Sequence, residues 1–479
     1  MSRLNLVLIL VVLCISWEAY VQAAKGGNGH EREEHGNGKH RGHDKNLWDI
    51  PDELSTTVKK VKKHIGKLSK EAKDRVLGIC KRRNCKEVPE EVKQRKKGIL
   101  KREFEFRKKF NPSLTMEEVE GHFNAMHRVK QKLLEISGLL NDVTPHDDGT
   151  FGHDQLLTET QANNLVDNLD ALLKETTEEL EELANETLSQ VSGTLGSATG
   201  TLTETLEETS GTATGTLGGV TGSVTGLLGK RKKRNSLYFE ENFAAHWDIG
   251  QPIPYAFDTT LSPTEQGMIN SALQQISSVS CVRFQFLAKA PSTPHLFYTK
   301  FASAGFCGLS YIGKVTPANP IYLSFSCPDF TGVVMHETFH ALGVNHHHIR
   351  ADRDNFITIN WDNVNPQQYD YFAVADSKQF TSYGITYDYG SIMHYNSYVA
   401  GANPSVQTMI PKFNPSQAVP LMGQRKALRQ GDILLLNKMY CKPAACKDAN
   451  IYCGAWALQN LCGPNQWVTQ NCVKSCGGC

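Results

Sequence analysis

HETFHALGVNH, from His336 to His346, places three histidines and one glutamate within eleven residues. On an α-helix, residues four positions apart share a face, so His336 and His340 can reach one metal ion together. Gly343 follows three residues after His340, and glycine readily takes the left-handed conformation that ends a helix. The chain can then turn back and bring His346 to a third ligand position.

Glu337 stands beside the first of these histidines and completes the residue set of a hydrolytic zinc site. Three protein ligands leave the fourth position of a tetrahedral Zn²⁺ open for water, and the ion lowers the pKa of that water toward about 7. Glu337 can take the proton of the water and pass it to the leaving amine of a peptide bond. The pattern favours this catalytic centre, with one Zn²⁺ per chain, over a solvated helix with scattered histidines.

A second informative segment is YDYGSIMHY, Tyr387–Tyr395, downstream of the histidines. Met393 can form a soft, apolar floor beneath the metal ligands. The phenol of Tyr395 can reach the metal or the oxyanion that forms in the transition state. Alone, the segment would be interpreted as an ordinary aromatic strand end, but the zinc motif upstream favours a role in the site.

Together these motifs resemble those of the astacin family of metzincin metalloendopeptidases. Further matching segments are WDIGQPIPY at Trp247–Tyr255, NWDNVNP at Asn360–Pro366, and MGQR with a following GDI. The resemblance covers residues 235–441 and implies an α+β fold, with a two-lobed peptidase domain at 235–445. One lobe would hold a mixed five-stranded sheet and the zinc helix, and the other would be irregular.

The resemblance also implies roles and pairings for single residues. In the family, the tyrosine that matches Tyr395 is a mobile zinc ligand that swings away to stabilise the oxyanion. By the same match, Cys281 should pair with Cys441, and Cys307 should pair with Cys327.

One departure from the family concerns His347, which stands where the family has a glutamate directly after the third histidine. In the family that glutamate pairs through water with the buried N-terminal ammonium of the processed enzyme. An imidazole cannot neutralise an ammonium as a carboxylate does. Trp247 also lies a dozen residues after Asn235. We therefore expect that the mature N-terminus is not locked in the family's way.

The chain has 479 residues, more than one ordinary domain needs, and a formal net charge of +1. This charge gives no global attraction to nucleic acid or to acidic membranes. Residues 1–23 have the form of a signal peptide, with Arg3, the apolar run LNLVLILVVLCISW and a small residue at Ala23. The apolar run is shorter than the ~20 residues that a membrane anchor needs, so a secreted, extracellular protein without an anchor is predicted.

Residues 24–234 are predicted to be a propeptide. Residues 52–185 show a basic, helical pattern, whereas the residues before them are Gly-, His- and charge-rich and typical of disorder. Residues 186–229 repeat Gly-Thr units and are interpreted as a flexible linker. The cluster KRKKR at 230–234 favours cleavage by a proprotein convertase after Arg234, so the mature chain would begin at Asn235.

Two further propeptide residues are singled out. Asn185 lies in an N-x-S/T sequon and is a candidate glycosylation site in a secreted glycoprotein. The family's propeptide often carries F-x-G-D, whose aspartate occupies the zinc in the latent form. The nearest match is FGHDQLLT at Phe151–Thr158, with His153 in place of glycine, so Asp154 is the candidate latency residue.

The tail, residues 446–479, resembles the ShK toxin-like (ShKT) module, a small helical domain that needs its disulfides to fold. Six cysteines allow 15 connectivities, and the resemblance implies three pairs: Cys446–Cys479, Cys453–Cys472 and Cys462–Cys476. Channel-blocking members have a lysine followed by an aromatic residue between the third and fourth cysteines. This tail has Trp467 but no lysine there, which favours an accessory binding or positioning module.

The sequence leaves two classes of function to compare. The first is a zinc metalloendopeptidase of EC class 3.4.24 that is made as a zymogen. Its combination with an ShKT tail resembles secreted nematode proteases and suggests matrix, cuticle or ingested protein as substrate. The second is a catalytically silent binding protein on a protease fold, or an effector that acts through its ShKT tail. The intact set of Glu337 and three histidines favours the enzyme.

Overall fold

The computed structural model describes residues 68–171, 173–174, 178, 245–301, 305–374, 382–441 and 448–476. The predicted signal peptide, Asn185, the linker, the processing site at Arg234 and Asn235, and the Cys446–Cys479 pair lie outside these residues. The chain divides into two compact units. The unit formed by residues 1–65 and 170–229 lies almost entirely outside the described residues, and the fold below is that of residues 66–169 and 230–479.

Three helices form the described part of the predicted propeptide: α1 (Lys70–Cys80), α2 (Glu90–Lys108) and α3 (Met116–Ile136). Helix α3 begins with a capping box in which Thr115 and Glu118 satisfy each other's backbone N–H groups. A disulfide between Cys80 and Cys85 closes the turn after α1. The helices have buried faces as well as charged ones, so they form a packed module.

The central sheet has six strands in the order β1-β5-β6-β4-β2-β3. They are β1 (Gln155–Leu156), β2 (Ile253–Phe257), β3 (Phe284–Phe286), β4 (His295–Lys300), β5 (Gly308–Tyr311) and β6 (Ala318–Leu323). Only the β5–β6 pairing is antiparallel. The five strands of the peptidase domain form the expected mixed sheet, and β1 of the predicted propeptide adds a sixth strand by pairing with the edge strand β5.

Both faces of this sheet are covered. On one face lie α4 (Pro263–Val279) and the zinc-motif helix α5 (Phe330–Ala341), packed on side chains such as Leu296 and Tyr298. Successive residues of a strand point to opposite faces, and Phe297 on the other face packs against Phe106 of α2. Buried residues consequently run without alternation through β4 and β6, as in sheets that are covered on both sides.

The second lobe has little regular structure, as expected. It contains the strand pair β7 (Ile357–Ile359) and β8 (Met409–Pro411), short 3₁₀ turns at 347–349, 353–355 and 366–372, α6 (Pro415–Ala418) and α7 (Gln430–Tyr440). The tail contributes α8 (Cys453–Leu458) and α9 (Gln466–Asn471). Among the described residues, no helix combines the length and the apolar character that crossing a membrane requires.

Four disulfides of the peptidase domain and tail lie among the described residues: Cys281–Cys441, Cys307–Cys327, Cys453–Cys472 and Cys462–Cys476. These are the pairings that the sequence resemblance implies for those cysteines. The first closes a span of 160 residues and joins the end of α4 to the end of α7, so it ties the two lobes of the peptidase domain together.

Candidate metal centre and catalytic site

The helix α5 carries His336, Glu337 and His340 in an almost wholly buried setting. It ends just before Gly343, whose φ of 98° lies in the left-handed region. Backbone N–H groups of Gly343 and Val344 donate to the carbonyls of His340 and Phe339, which closes the helix end. This turn brings the ring of His346 to within 4.6 Å of the His340 ring, measured between centroids.

Each ring of the α5 histidines is held by its Nδ1 atom. The Nδ1 of His336 lies 2.8 Å from the Ile392 carbonyl oxygen, and that of His340 lies 2.7 Å from the Val344 carbonyl oxygen. A neutral imidazole that donates from Nδ1 presents Nε2 as a free electron pair, as a metal ligand must. The carbonyls therefore fix both rings in the tautomer that binds metal.

The Nε2 atoms converge with the carboxylate of Asp154. The distances are 3.1 Å from His340 to His346, 3.2 Å from His336 to Asp154 Oδ2, and 2.8 Å from His346 to Asp154 Oδ1. All four ligand atoms lie within 4.8 Å of one another. Ligands about 2.0–2.1 Å from a tetrahedral zinc stand roughly 3.3 Å apart, so this donor set fits a Zn²⁺ ion.

Asp154 is buried and contacts Tyr395 as well as the histidines. The Tyr395 hydroxyl donates to Asp154 Oδ1 at 2.9 Å and also contacts the Gly152 carbonyl oxygen. Burial raises the pKa of Asp154, but its interactions with His346, His336 and His340 lower it well below its usual value. The aspartate is therefore a carboxylate when it faces the histidines.

Glu337 lies beside the ligands, held by Ser310 of β5. The Ser310 hydroxyl lies 2.8 Å from Glu337 Oε2 and 3.1 Å from the Glu337 carbonyl oxygen. A Cβ added to Gly308 would lie only 2.4 Å from the Glu337 side chain, so the glycine makes room for the carboxylate. Burial, and then the negative charge of Asp154, raise the pKa of Glu337 well above its usual value.

Met393 is buried with an exposed fraction of 1% and belongs to the core beneath α5. Its turn is held by Asp432, which accepts from the Ser391 hydroxyl at 2.5 Å and from the Ile392 N–H at 3.0 Å. The Ile392 carbonyl oxygen in turn positions His336. The turn thus acts on the metal centre through a backbone carbonyl as well as through its apolar side chain.

His347, which follows the ligand His346 directly, is buried. Its backbone N–H donates to the Met393 carbonyl, and its Nε2 accepts from the Asp388 N–H at 3.0 Å. Burial, with the charge of Arg350 adding to it, lowers the pKa of His347 well below its usual value. The ring is neutral, and its acceptor nitrogen already has a partner.

The structure brings together the predicted metal-binding, catalytic, Met-turn and latency residues: the three histidines, Glu337, Tyr395, Met393 and Asp154. The tail cysteines instead form a small core of their own.

Sequence reasoning missed Ser310, because nothing in GLSY distinguishes it from another strand residue. It also missed Arg425 of the MGQR segment, a partly buried residue that acts electrostatically on Asp154 and Glu337. Gln155, 3.0 Å from the Nδ1 of His346, adjoins Asp154 in the quoted FGHDQLLT segment.

Comparisons with known proteins agree with this geometry. Residues 239–441 match the family model of astacin, described as a peptidase family, and residues 445–479 match the model "ShK domain-like". The chain is 39% identical to zinc metalloproteinase nas-10 of Caenorhabditis elegans over 437 residues, which are 90% of this chain and 72% of the relative.

The chain is also similar to other metalloproteinases. Zinc metalloproteinase nas-11 of the same organism is 41% identical over 417 residues, 86% of this chain and 68% of the relative. The structure of high choriolytic enzyme 1, a hatching enzyme zinc-protease from the medaka fish Oryzias latipes, matches 41% of this chain and 93% of its own, with 26% identity and a TM-score of 0.36.

Proposed function

This chain belongs to the astacin family of zinc metalloendopeptidases, and we propose that it is a secreted enzyme, made as a latent precursor, that cleaves extracellular proteins. Zinc is the cofactor of the family, and the buried donor set fits it. The proposed ligands are His336, His340 and His346, with Glu337 and Tyr395 as the catalytic residues.

Zinc bound at this site would supply a Lewis acid that polarises the scissile carbonyl and lowers the pKa of water. Glu337, oriented by Ser310, takes the proton of the attacking water and delivers it to the leaving amine. Burial, which does not depend on Asp154, raises the pKa of Glu337, and a base that must later act as an acid works best with a pKa near the ambient pH. The Tyr395 hydroxyl donates to the oxyanion once it is free of Asp154.

Latency rests on Asp154. Its carboxylate lies 2.8 Å from the Nε2 of His346 and 3.2 Å from that of His336, where the open ligand position of a catalytic zinc would be. A carboxylate there excludes the attacking water and engages the Tyr395 hydroxyl. The contacts of Asp154 with the histidines and with Tyr395 are the observation on which we base the proposal that the precursor is inactive.

The boundaries of the precursor form part of the same proposal. A signal peptide at 1–23 would direct export, and a convertase would cut after Arg234 to leave Asn235 as the first mature residue. Disulfides are typical of exported proteins, and the five among the described residues support this compartment. Proteins of the matrix or cuticle are the proposed substrates, with the tail as a positioning module and Asn185 as a glycosylation site.

The test of latency compares uncleaved precursors that carry zinc. Asp154→Ala should hydrolyse a quenched fluorogenic peptide faster than the wild type, and Asp154→Asn should behave similarly because an amide is a weaker ligand. Asp142→Ala is the matched control, since Asp142 is an exposed carboxylate in the same segment. If all of these precursors are equally inactive, Asp154 is not the latency residue.

A further inference from the structure

The sheet face opposite the zinc-motif helix is apolar and aromatic. Leu309 and Tyr311 of β5, Tyr322 of β6 and Phe297 of β4 all belong to it and are buried. Register places Leu309 opposite Tyr322, while the intervening Ser310 points to the other face and holds Glu337. Within the described residues, this face is covered by the propeptide.

Helices α2 and α3 and the strand β1 provide the cover. Apolar propeptide residues form one continuous core with the peptidase side chains of this face. These propeptide residues are Ile99, Val119, Phe123, Met126, Leu156 and Leu157. Phe106 packs at 5.4 Å from Phe297, between ring centroids. Aromatic side chains bury roughly 150–250 Å² each. The contact between the propeptide and the sheet therefore buries apolar surface as the core of a single domain does.

A buried carboxylate anchors α2 to the sheet. Glu103 is 1% exposed and accepts 2.6 Å hydrogen bonds from the hydroxyls of Tyr311 and Tyr322. Arg107 forms a 2.6 Å ion pair with Glu103 and also donates to the Tyr311 hydroxyl. Two propeptide charges and two peptidase phenols thus satisfy one another around the buried Glu103 carboxylate. Separation would break the three bonds of this cluster that join the propeptide to the peptidase: Glu103 to Tyr311, Glu103 to Tyr322 and Arg107 to Tyr311.

A second anchor lies beside the metal centre. Lys130 of α3 is buried between Asp148 of the propeptide and Asp370 of the peptidase, at 3.1 and 3.4 Å. Asp370 also accepts from the Gly152 N–H at 2.9 Å, two residues before Asp154. Removing the propeptide would break both of these contacts of Asp370, and breaking a buried ion pair is costly.

All of these contacts involve propeptide residues 99–157, far along the chain from the predicted cut after Arg234. Hydrolysis of that one bond changes none of them. We propose that this sheet face is a binding surface for the excised propeptide: after cleavage, residues 68–169 stay bound to the peptidase as a non-covalent inhibitor. This inference rests on the proposed function in one respect, the cut after Arg234.

The experiment uses the full-length, zinc-loaded precursor in which residues 230–234 are replaced by the site of a sequence-specific protease. After complete cutting, size-exclusion chromatography with light scattering should show both pieces in one particle at micromolar concentration. Peptidase activity should stay close to that of the uncut precursor. Separation of the two pieces on cutting would overturn the inference.

Variants of Glu103 and its partners test whether this carboxylate holds the excised propeptide on the peptidase. Glu103→Gln in the cut complex should raise the dissociation rate about ten-fold or more, because hydrogen bonds to a buried charge are among the strongest. Glu105→Gln, on the exposed side of the same helix, should behave as the wild type. If Glu103→Gln is not secreted, Tyr322→Phe removes one of the two phenol donors from the peptidase side and should also speed dissociation. Equal rates in all variants would contradict the role of the anchor.

Asp154→Ala separates this inference from the latency proposal. In the cut Asp154→Ala protein, the pieces should still elute together while activity rises. If the pieces elute together and the protein remains inactive, the result would count against Asp154 as the latency residue. It would still support the inference that the propeptide stays bound. Separation of the pieces would instead overturn the binding inference, whatever the activity of the uncut precursor.

Discussion

The hydroxyl of Tyr395 lies 2.9 Å from Oδ1 of Asp154 and donates a hydrogen bond to it. One propeptide carboxylate therefore engages both the three imidazoles and the residue proposed to bind the oxyanion. The proposed inhibition by Asp154 would block two parts of the catalytic machinery together. In this proposal the histidines, Glu337 and Tyr395 are already in place in the precursor, and activation requires the removal of Asp154.

Tyr395→Phe should lower kcat of the peptidase freed of its propeptide by about 10²–10³-fold, the usual effect of removing one oxyanion donor. KM and zinc content should change little, because the ring remains and Tyr395 is not needed to hold the metal. Tyr398→Phe, a change at an exposed tyrosine, is the control. Near-normal kcat in Tyr395→Phe would assign the oxyanion contact to another group.

Gly308→Ala should impair catalysis without removing zinc. The added Cβ would lie 2.4–2.6 Å from Cγ, Cδ and Oε1 of Glu337, and close packing leaves the buried carboxylate no free volume. Displacing a base by about 1 Å can cost about 100-fold in rate. Steady-state kinetics and metal analysis of the same preparation check this, and full activity with normal zinc would show that Glu337 has room to move.

Acid should destabilise the propeptide core through His122. Burial, and then the charge of Arg107, lower the pKa of His122 to about 4 from 6.5. A lowered histidine pKa stabilises the fold above pH ~6.5, and this contribution is lost as the pH falls toward 4. At pH 5 the loss is at most about 2 kcal/mol, at 1.36 kcal/mol for each pH unit below 6.5.

The measurement for His122 is chemical denaturation of the precursor between pH 7.5 and 5. His122→Gln should flatten the pH dependence relative to the wild type, since a glutamine can still donate to the Leu157 carbonyl and accept from Arg107 without titrating. Parallel pH profiles for the two proteins would rule out His122 as a contributor.

Activity should tolerate small changes in where the mature chain begins. His347 is neutral, and its Nε2 already accepts from the Asp388 N–H, so it cannot neutralise an N-terminal ammonium as the family's glutamate does. Mature proteins that begin at Asn235 should match ones trimmed or extended by two or three residues. A steep loss of activity with any such change would show that the terminus is buried and has another partner.

Much of the site was predictable because its spacing is set by local geometry. The i, i+4 histidines, the left-handed turn at Gly343 and His346 follow from helix geometry and glycine's freedom alone. The five peptidase strands and the pairing of Cys281 with Cys441 came from the family resemblance, since strand order and cysteine pairing are long-range properties that spacing does not determine.

The propeptide contacts were not predictable from the sequence. Residues 70–136 look like charged helices, and a single chain does not reveal that Glu103 faces two tyrosines more than 200 residues away. Asp154 was only a candidate because His153 replaces the family's glycine. The structure gives His153 a φ of 90°, so the position keeps a glycine-like backbone even though the residue differs.

The central claim is tested most directly by Glu337→Gln in the peptidase freed of its propeptide. The variant should bind one zinc per chain, as the wild type does, because the three imidazoles are unchanged. Hydrolysis of a fluorogenic peptide should fall by at least about 10²-fold, because the amide cannot take a proton from water. Normal zinc content with near-normal turnover would contradict the account, since peptide hydrolysis would then proceed without its proposed base.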